Sequence, residues 1–335
     1  MMQRRGCLVH LGRQGLWCLA TLAGAGPAAR AATAARRVAR IGWLGWSDDT
    51  APNRELPVTA LRAGLAELGW REGVNLVIER RQGDREQAPD LATDLLAAGV
   101  ELVVAQGPMA LFARARLGRM PLVFTINGDP VEAGLVASLA RPGGTATGLT
   151  ALGEELAAKR VELLKQARPG LRQVAALAND VHPGRGIELA ATRSAAQQLG
   201  LALRYLPVRK PEDFDAAFAT LAADGVQGIV AFPDTLINRQ AGAIAEYARR
   251  QRVPTISGWS EFAQAGNLLA YGPSREAFFR RTAYYAHKLL DGTPAAELPV
   301  ERPTRLSLVV HRGAAAAMGL ALPRELLLRA DEVIE

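Results

Sequence analysis

The stretch "LLAAGVELVVAQGP" (95–108) contains one unit of the fold that this chain predicts. An apolar helical pattern ends at Gly99, and the short run "LVVA" follows before a polar loop begins. A strand that is apolar at every position is typical of a parallel sheet with helices on both faces. The stretch "LAADGVQGIVAFPD" (221–234) repeats this order of helix end, glycine, strand and polar loop. The pair therefore predicts two similar α/β units in one chain.

Shorter matches accompany this pair. The segment "ELGW" (67–70) corresponds to "QLGL" (198–201), and "RMPLVF" (119–124) corresponds to "RVPTIS" (252–257). The match is loose and its spacings drift by several residues, so a chance likeness between two units of this type is an open alternative. A true repeat would give two similar lobes.

Strand-like and helix-like patterns alternate through the first half of the chain. Apolar runs occupy 38–45, 74–80, 101–107 and 120–126, and helical patterns occupy 55–69 and 88–99. Short buried strands that alternate with helices indicate a doubly wound α/β domain, in which helices cover both faces of a parallel sheet.

The segment 141–150 lies between the two copies. Its Pro142, Gly143 and Gly144 place a fixed φ angle beside unrestricted ones, which suits a connection or hinge between lobes, although a plain surface turn is the alternative. A short apolar helix is expected just before this segment, starting at Val131.

The last part of the chain is too short for a third domain. A helical pattern (275–292), a Pro-rich link (293–304) and a strand (305–310) instead predict that the chain returns to the first lobe and then to the second. The predicted fold class is α/β, with two doubly wound, Rossmann-like lobes joined by a three-crossing hinge. The expected division is a signal peptide at 1–31, an N-terminal lobe of 38–148 plus 274–302, and a C-terminal lobe of 149–273 plus 303–335.

The N-terminus has the layout of a secretory signal peptide. Basic residues precede a small apolar run (15–26), and small residues suited to a signal peptidase end at Ala31. The pair Arg4-Arg5 leaves a twin-arginine export route open. The apolar run is too short to span a bilayer, so the sequence predicts an exported, periplasmic protein.

Charge and cysteine content exclude two classes of chemistry. Both cysteines, Cys7 and Cys18, lie in the expected leader, so the mature chain is predicted to have no disulfide and no thiol chemistry. Loss of that leader removes four arginines and no acid, which lowers the formal net charge from +7 to +3. Such a weak bias argues against a nucleic-acid partner.

No motif marks a catalytic or metal site. The histidines are scattered and lack cysteine partners, which argues against zinc. The sequence contains no G-x-S-x-G elbow, no Walker A loop and no complete G-x-G-x-x-G, and "GRGIEL" (184–189) lacks the last glycine. We therefore expect a protein without enzymatic activity, cofactor or metal.

The candidate ligand site lies in the loops at the carboxyl ends of the strands, where open α/β sheets bind small molecules. If the two lobes face each other, these loops bring amide, hydroxyl and carboxylate groups and two indole rings to one cleft. A packing role for the tryptophans and a capping role for Asp129 are the alternatives. The predicted ligand-binding residues are Trp46, Ser47, Asp48, Gln106, Gly107, Asn127, Gly128, Asp129, Asn179, Asp234, Thr235, Gly258, Trp259 and Glu261.

Four segments resemble the ABC-transporter substrate-binding family of the tryptophan/tyrosine type. They are "GDPVEAGLVASLARPGGTATG" (128–148), "KPEDFDAAFATL" (210–221), "YGPSREAFFRRTAYYAHKLLDGTPAAELPVERPTRLSLVV" (271–310) and "LPRELLLRADEVIE" (322–335). The resemblance implies a type I periplasmic-binding-protein fold and delivery of a solute to an inner-membrane permease that works with a cytoplasmic ATPase. The chain departs from the family at "WSDD" (46–49) and at "HRGAAAAMGL" (311–320), so the resemblance implies aromatic amino acid binding only weakly.

Three functions are consistent with these observations. The first is a monomeric, exported solute-binding component of an ABC importer, which encloses a small molecule such as an amino acid or aromatic compound between its lobes. The second is a periplasmic ligand sensor of the same fold. The third is an exported α/β enzyme, which would need an activated nucleophile or a cofactor loop that the sequence does not show.

Overall fold

A computed structural model of the protein describes residues 37–46, 51–151, 154–182 and 184–335. The expected signal peptide and the predicted ligand-binding residues Ser47 and Asp48 lie outside these residues. Within them, no helix is long and apolar enough to cross a membrane. The same residues contain no cluster of three or more His, Cys, Asp or Glu side chains that could hold a metal ion.

Strands and helices alternate along the described chain. The strands are β1 (Ala39–Trp46), β2 (Leu76–Gly83), β3 (Leu102–Gln106), β4 (Leu122–Ile126), β5 (Ala146–Thr150), β6 (Gln173–Asn179), β7 (Ala202–Val208), β8 (Ile229–Ala231), β9 (Thr255–Ser257), β10 (Leu269–Pro273), β11 (Leu306–His311) and β12 (Glu332–Ile334). The helices are α1 (Ala51–Glu67), α2 (Ala88–Ala97), α3 (Pro108–Leu117), α4 (Glu154–Ala167), α5 (Arg185–Gln198), α6 (Asp213–Ala223), α7 (Thr235–Arg239), α8 (Ala241–Gln251), α9 (Ser260–Gln264), α10 (Arg275–Leu290), α11 (Arg312–Ala317) and α12 (Arg324–Leu328).

The first sheet is parallel and has the strand order β2-β1-β3-β4-β5. Every residue of β3, β4 and β5 is buried, because α1 and α10 cover one face and α2 and α3 cover the other. Trp43 of β1 is fully buried and packs edge-on against Phe279 of α10. A helix from the last quarter of the chain therefore completes the core of the first lobe.

The second sheet has the order β12-β11-β10-β9-β8-β6-β7. Its pairs are parallel except for β10 and β11, which run antiparallel. Helices α4 and α5 share a core with one face, and α6, α7 and α8 pack on the other. The expected α/β architecture of two lobes is confirmed. The edge strand β12 was not predicted, since three residues with two of them exposed give no periodic signal.

The chain passes between the two sheets three times. It leaves the first sheet after Thr150 and enters α4, and it leaves the second sheet after Pro273 and enters α10. It then runs beside β5, where Glu301 pairs with Leu149, before it joins the second sheet at Leu306. The expected limits of the two domains, by contrast, stay predictions.

Two local expectations at 128–150 were wrong. Residues 130–134 form turns rather than a helix starting at Val131, and Asp129 Oδ1 accepts the N–H of Val131 at 2.7 Å. Pro142 and its two following glycines lie within the first lobe, because β5 pairs with β4 as far as Thr150. The passage between the sheets therefore starts after 150 rather than within 141–150.

Candidate functional site

A cleft lies between the two sheets, at the carboxyl ends of their strands. Its inner compartment has an empty volume of about 530 Å³, a value that includes space open to solvent. The lining residues are Gln106, Gly107, Pro108, Thr125, Ile126, Asn127, Ala151, His182, Asp234, Thr235, Trp259, Pro273, Arg275, Phe278 and Phe279. Both sheets and two of the three passages therefore contribute to this compartment.

The wall from the first sheet is formed by the ends of β3 and β4. Gly107 donates its N–H to the carbonyl of Thr125 at 2.7 Å, and with φ of 54° it adopts a conformation that favours glycine. Helix α3 begins at the next residue. The Thr125 side chain is 3% exposed, and its Oγ1 has no hydrogen-bond partner among the described residues. A buried hydroxyl without a partner is costly unless a water or ligand completes it.

The wall from the second sheet is formed at the start of α7. Asp234 caps this helix, since its Oδ1 accepts the N–H of Leu236 at 2.8 Å. The same oxygen accepts Nδ2 of Asn179 at 3.1 Å. Burial lowers the pKa of His182, and the charge of Asp234 opposes this shift. The imidazole therefore presents its neutral form to the cleft at neutral pH.

A buried cation lies at the back of the inner compartment. Arg275, the first residue of α10, is 5% exposed, and its guanidinium lies 4.8 Å from the Trp259 ring centroid and 5.9 Å from that of Phe279. Its Nη1 is 3.3 Å from Oε1 of Glu261. Because α10 packs on the first sheet while Trp259 and Glu261 follow β9, these contacts join the two lobes.

An outer compartment continues the cleft toward solvent. It has an empty volume of about 1140 Å³ and shares Pro108, His182, Asp234 and Thr235 with the inner one. Its remaining lining residues are Trp46, Asp84, Arg85, Glu86, Leu111, Phe112, Asn179, Val181, Arg209, Lys210, Pro211, Leu236 and Arg239.

The lobes touch across the cleft. Asn127 Nδ2 donates to the carbonyl of Pro233 at 3.1 Å. A Cβ placed on Gly184, at the start of α5, would be 3.0 Å from Cα of Gly128 and 3.1 Å from the backbone N of Asp129. Backbone approaches this close show that the structure is in a closed arrangement.

The structure brings most of the predicted residues to the cleft. Gln106, Gly107, Asn127, Asp234, Thr235 and Trp259 line the inner compartment, and Trp46 and Asn179 line the outer one. Glu261 lies behind Arg275, and Gly128 forms part of the contact between lobes. Asp129 caps a turn, and Gly258 packs against Pro233 and Arg160. Direct contact between any of these residues and a ligand stays a proposal.

Sequence reasoning missed Thr125, His182, Arg275, Phe278 and Phe279. A signal for Arg275 was present, because a cation in the first turn of a helix opposes the helix dipole. Phe278 and Phe279, three and four residues after Arg275, form an apolar pair on the same helix face as this cation. Thr125 gave no signal, since a threonine inside a strand is ordinary.

A buried ion pair supports the cleft wall from beneath. Arg160 of α4 and Glu188 of α5 are 3% and 4% exposed, and Nη1 of Arg160 donates to Oε1 of Glu188 at 2.8 Å. Arg160 also donates through Nε to the carbonyl of Tyr271 at 3.0 Å, and its guanidinium lies against Gly258. Burial raises the pKa of Glu188 to about 7 although Arg160 lowers it, and the charge of Asp234 adds to the rise. Desolvation therefore exceeds the attraction within the pair.

Substitution of Glu188 by glutamine is expected to flatten the pH dependence of stability. In the unfolded chain Glu188 titrates near its ordinary pKa of 4.5, and in the fold near 7. The stability that this difference contributes is complete below the lower pKa and is lost as the pH rises through the higher one. Urea unfolding at about pH 5 and about pH 8 checks this. An E162Q variant, altered at an exposed glutamate of α4, should keep the fall in stability, and an equal fall in E188Q and wild type would contradict the assignment.

Two α/β sheets that face each other across a cleft, joined by three chain passages, define a two-lobed binding protein of the type I periplasmic fold. The chain belongs to the ABC transporter substrate binding protein family, whose model matches residues 50–334. The family resemblance in the sequence is thereby confirmed.

Known relatives agree with this assignment. The tyrosine-binding protein of Clostridioides difficile (strain R20291) is 22% identical over 261 residues, which are 76% of this chain and 74% of that protein. An ABC domain from Streptococcus pneumoniae in complex with L-Trp superimposes with a TM-score of 0.81 at 23% identity, over 88% of this chain and 99% of that one. A ligand-free, open substrate binding protein with adhesive properties from Clostridium difficile gives a TM-score of 0.69 at 21% identity, over 89% and 99%. At these identities the two structural likenesses show the fold.

Proposed function

We propose that the protein is the exported solute-binding component of an ABC importer, and that it encloses a small molecule in the inner compartment of the cleft. The observation that carries this proposal is the closed cleft itself. Polar and aromatic side chains from both sheets surround one space, and the lobes touch at Asn127 and Pro233 beside it. A ligand that touches both lobes stabilises the closed state over the open one, and no chemical step by the protein is required.

The ligand that we propose is an aromatic amino acid or a related aromatic compound. Trp259, Phe278 and Phe279 offer apolar ring surface inside the compartment, which suits a flat ligand body. Gln106 and Asn127 offer amide groups for its polar parts. The names of two relatives, a tyrosine-binding protein and a complex with L-Trp, support the same chemistry.

In this proposal, a membrane partner recognises the closed form of the protein. We propose a periplasmic monomer that delivers its solute to an inner-membrane permease, which a cytoplasmic ATPase drives. An enzymatic role is not part of the proposal, because family and fold are those of substrate-binding proteins. Incubation with L-tryptophan followed by mass spectrometry should return the amino acid unchanged.

The test is ligand binding by the mature chain. L-Tryptophan and L-tyrosine are expected to raise the melting temperature, because a ligand that binds only the folded state stabilises it. At a concentration of about 100 times Kd the gain is about 2.7 kcal/mol. Small-angle scattering should show compaction on binding if the free protein samples an open state. A panel of amino acids and aromatic carboxylates that leaves both measurements unchanged would refute the proposed function, and glycine serves as the control ligand without a ring.

A further inference from the structure

We propose that the cleft selects its ligand by a carboxylate that Arg275 binds, and that an ammonium group on the ligand is not required. The inference rests on the proposed function and narrows its ligand to aromatic carboxylates. Three observations support it: the buried position of Arg275, the buried Thr125 hydroxyl without a hydrogen-bond partner in the part of the chain that the structure describes, and the contacts that Asp234 and Glu261 already make with the protein.

The position of Arg275 is unfavourable for a cation without an anionic partner. It is the first residue of the 16-residue helix α10, where the dipole favours negative charge. Its side chain is nevertheless almost fully buried and lines the inner compartment. A buried guanidinium at such a site needs anions nearby, and Oε1 of Glu261 lies 3.3 Å from its Nη1.

The surroundings of Arg275 orient its guanidinium. The group lies over the Trp259 ring at 4.8 Å, and Phe279 lies on another side at 5.9 Å. These rings restrict the space open to the guanidinium, which carries five N–H donors in a fixed fork. A planar fork can serve protein partners and a ligand carboxylate together, and the neighbouring rings accept the aromatic body of the same ligand.

A second observation indicates that the ligand places a hydrogen-bond acceptor in the same compartment. Oγ1 of Thr125 is buried, lines the compartment and has no partner within the described chain. Helices α3 and α10 both begin at the compartment, at Pro108 and Arg275, and their N-termini add partial positive charge. A hydroxyl donor, a guanidinium and two helix N-termini together favour an anionic oxygen.

The acidic groups, in contrast, are already committed. Asp234 is the one carboxylate among the described residues that line the inner compartment, and its Oδ1 accepts both Asn179 Nδ2 and the N–H of Leu236. Glu261 faces Arg275. The described part of the compartment thus offers donors for a carboxylate, while Oδ1 of its one carboxylate already accepts two hydrogen bonds from the protein. An aromatic carboxylate without an amine should therefore bind.

The test compares three probes by calorimetry on the full mature chain. L-Tryptophan has a carboxylate and an ammonium, indole-3-acetate has the carboxylate alone, and tryptamine has the ammonium alone. We expect the first two to bind and tryptamine to bind at least about 10-fold more weakly, as for loss of one charge-assisted contact. In R275M the affinity for both carboxylates should fall by about 10- to 100-fold, and in R275K by less. R280M is the matched control, because Arg280 lies on the same helix and pairs with Glu67 at the surface.

Each result decides between the proposals. Tryptamine binding as tightly as L-tryptophan, or failure of indole-3-acetate to bind where L-tryptophan does, would overturn this inference and leave the proposed function standing. Unchanged affinities in a folded R275M protein would do the same. If none of the three probes binds the wild-type protein, the aromatic ligand of the proposed function fails, and this inference fails with it. The probe series on wild type decides the matter even if R275M does not fold.

Discussion

Replacement of Arg160 by methionine is expected to lower the free energy of unfolding by about 3–5 kcal/mol at pH 8, the cost of leaving a buried charge without its partner. Glu188, which is 4% exposed, would then have to stay charged without a partner or take up a proton at a pH where this is costly, because the attraction of Arg160 no longer lowers its pKa. The carbonyl of Tyr271, on the strand that leads into the second passage, would lose its hydrogen bond from Nε. The cost should shrink at about pH 5, because Glu188 can then take up a proton.

Chemical denaturation of the ligand-free variants measures this effect. The double variant R160M/E188L is expected to recover most of the loss, since well-packed apolar residues often replace a buried ion pair at little cost. R249M is the surface control, because Arg249 and Glu246 are exposed partners and such pairs contribute less than about 1 kcal/mol. A folded R160M protein within about 1 kcal/mol of wild type at pH 8 would show that the pair does not support the wall.

Substitution of Gly184 by alanine is expected to weaken ligand binding by about 10-fold or more, because the added Cβ opposes closure. That atom would be 3.0 Å from Cα of Gly128 and 3.1 Å from the backbone N of Asp129, and neither backbone atom can turn aside. We expect this contact only when the lobes are closed, so the clash itself should not disturb the open state. Affinity for L-tryptophan by calorimetry, with scattering of the liganded protein, measures the change.

Gly200 provides a matched control for backbone strain. Gly184 has φ of 86° and Gly200 has φ of 66°, so alanine is strained at both positions, but nothing lies within 4 Å of an added Cβ at Gly200. Both variants should lose about 1–2 kcal/mol of stability. Only G184A should lose affinity and remain extended with ligand. Equal affinities in the two variants would argue against this contact as a determinant of closure.

The lobes could be predicted from the sequence because their strands are short, apolar at every position and separated by amphipathic helices. The run at Leu102–Gln106 is buried at all five residues, as continuous apolarity predicts. The predicted position of the first passage between the lobes was wrong, because Pro142 and its glycines lie in a loop that precedes β5, and β5 still belongs to the first sheet. Turn-forming residues indicate a loop but not which sheet the next strand joins. The same limit applied at Val131, where Asp129 caps a turn that no helix follows.

The candidate site was predictable only in part. The rule that ligands bind at the carboxyl ends of strands led to Gln106, Asn127 and Asp234, which all line the inner compartment. It could not find Arg275 or Phe278, because these begin a helix that follows the last parallel strand and reach the cleft through its packing on the first sheet. The cation at the helix start and the two phenylalanines after it mark an unusual helix face, but only the tertiary structure shows that this face reaches the cleft.

The packing of α10 on the first sheet also sets a limit on the order of assembly during synthesis. The face that α1 covers stays incomplete until residue 290 has been made, since Phe279, Ala283 and Ala286 fill the same core as Leu61. Strands β6 to β9 and their helices, by contrast, are contiguous within 154–257. Their core nevertheless also needs Leu308, Val310 and Met318, which are synthesised later still. We therefore expect both lobes to finish folding only when translation is almost over, so that a nascent chain retains exposed apolar surface near its own beginning until then.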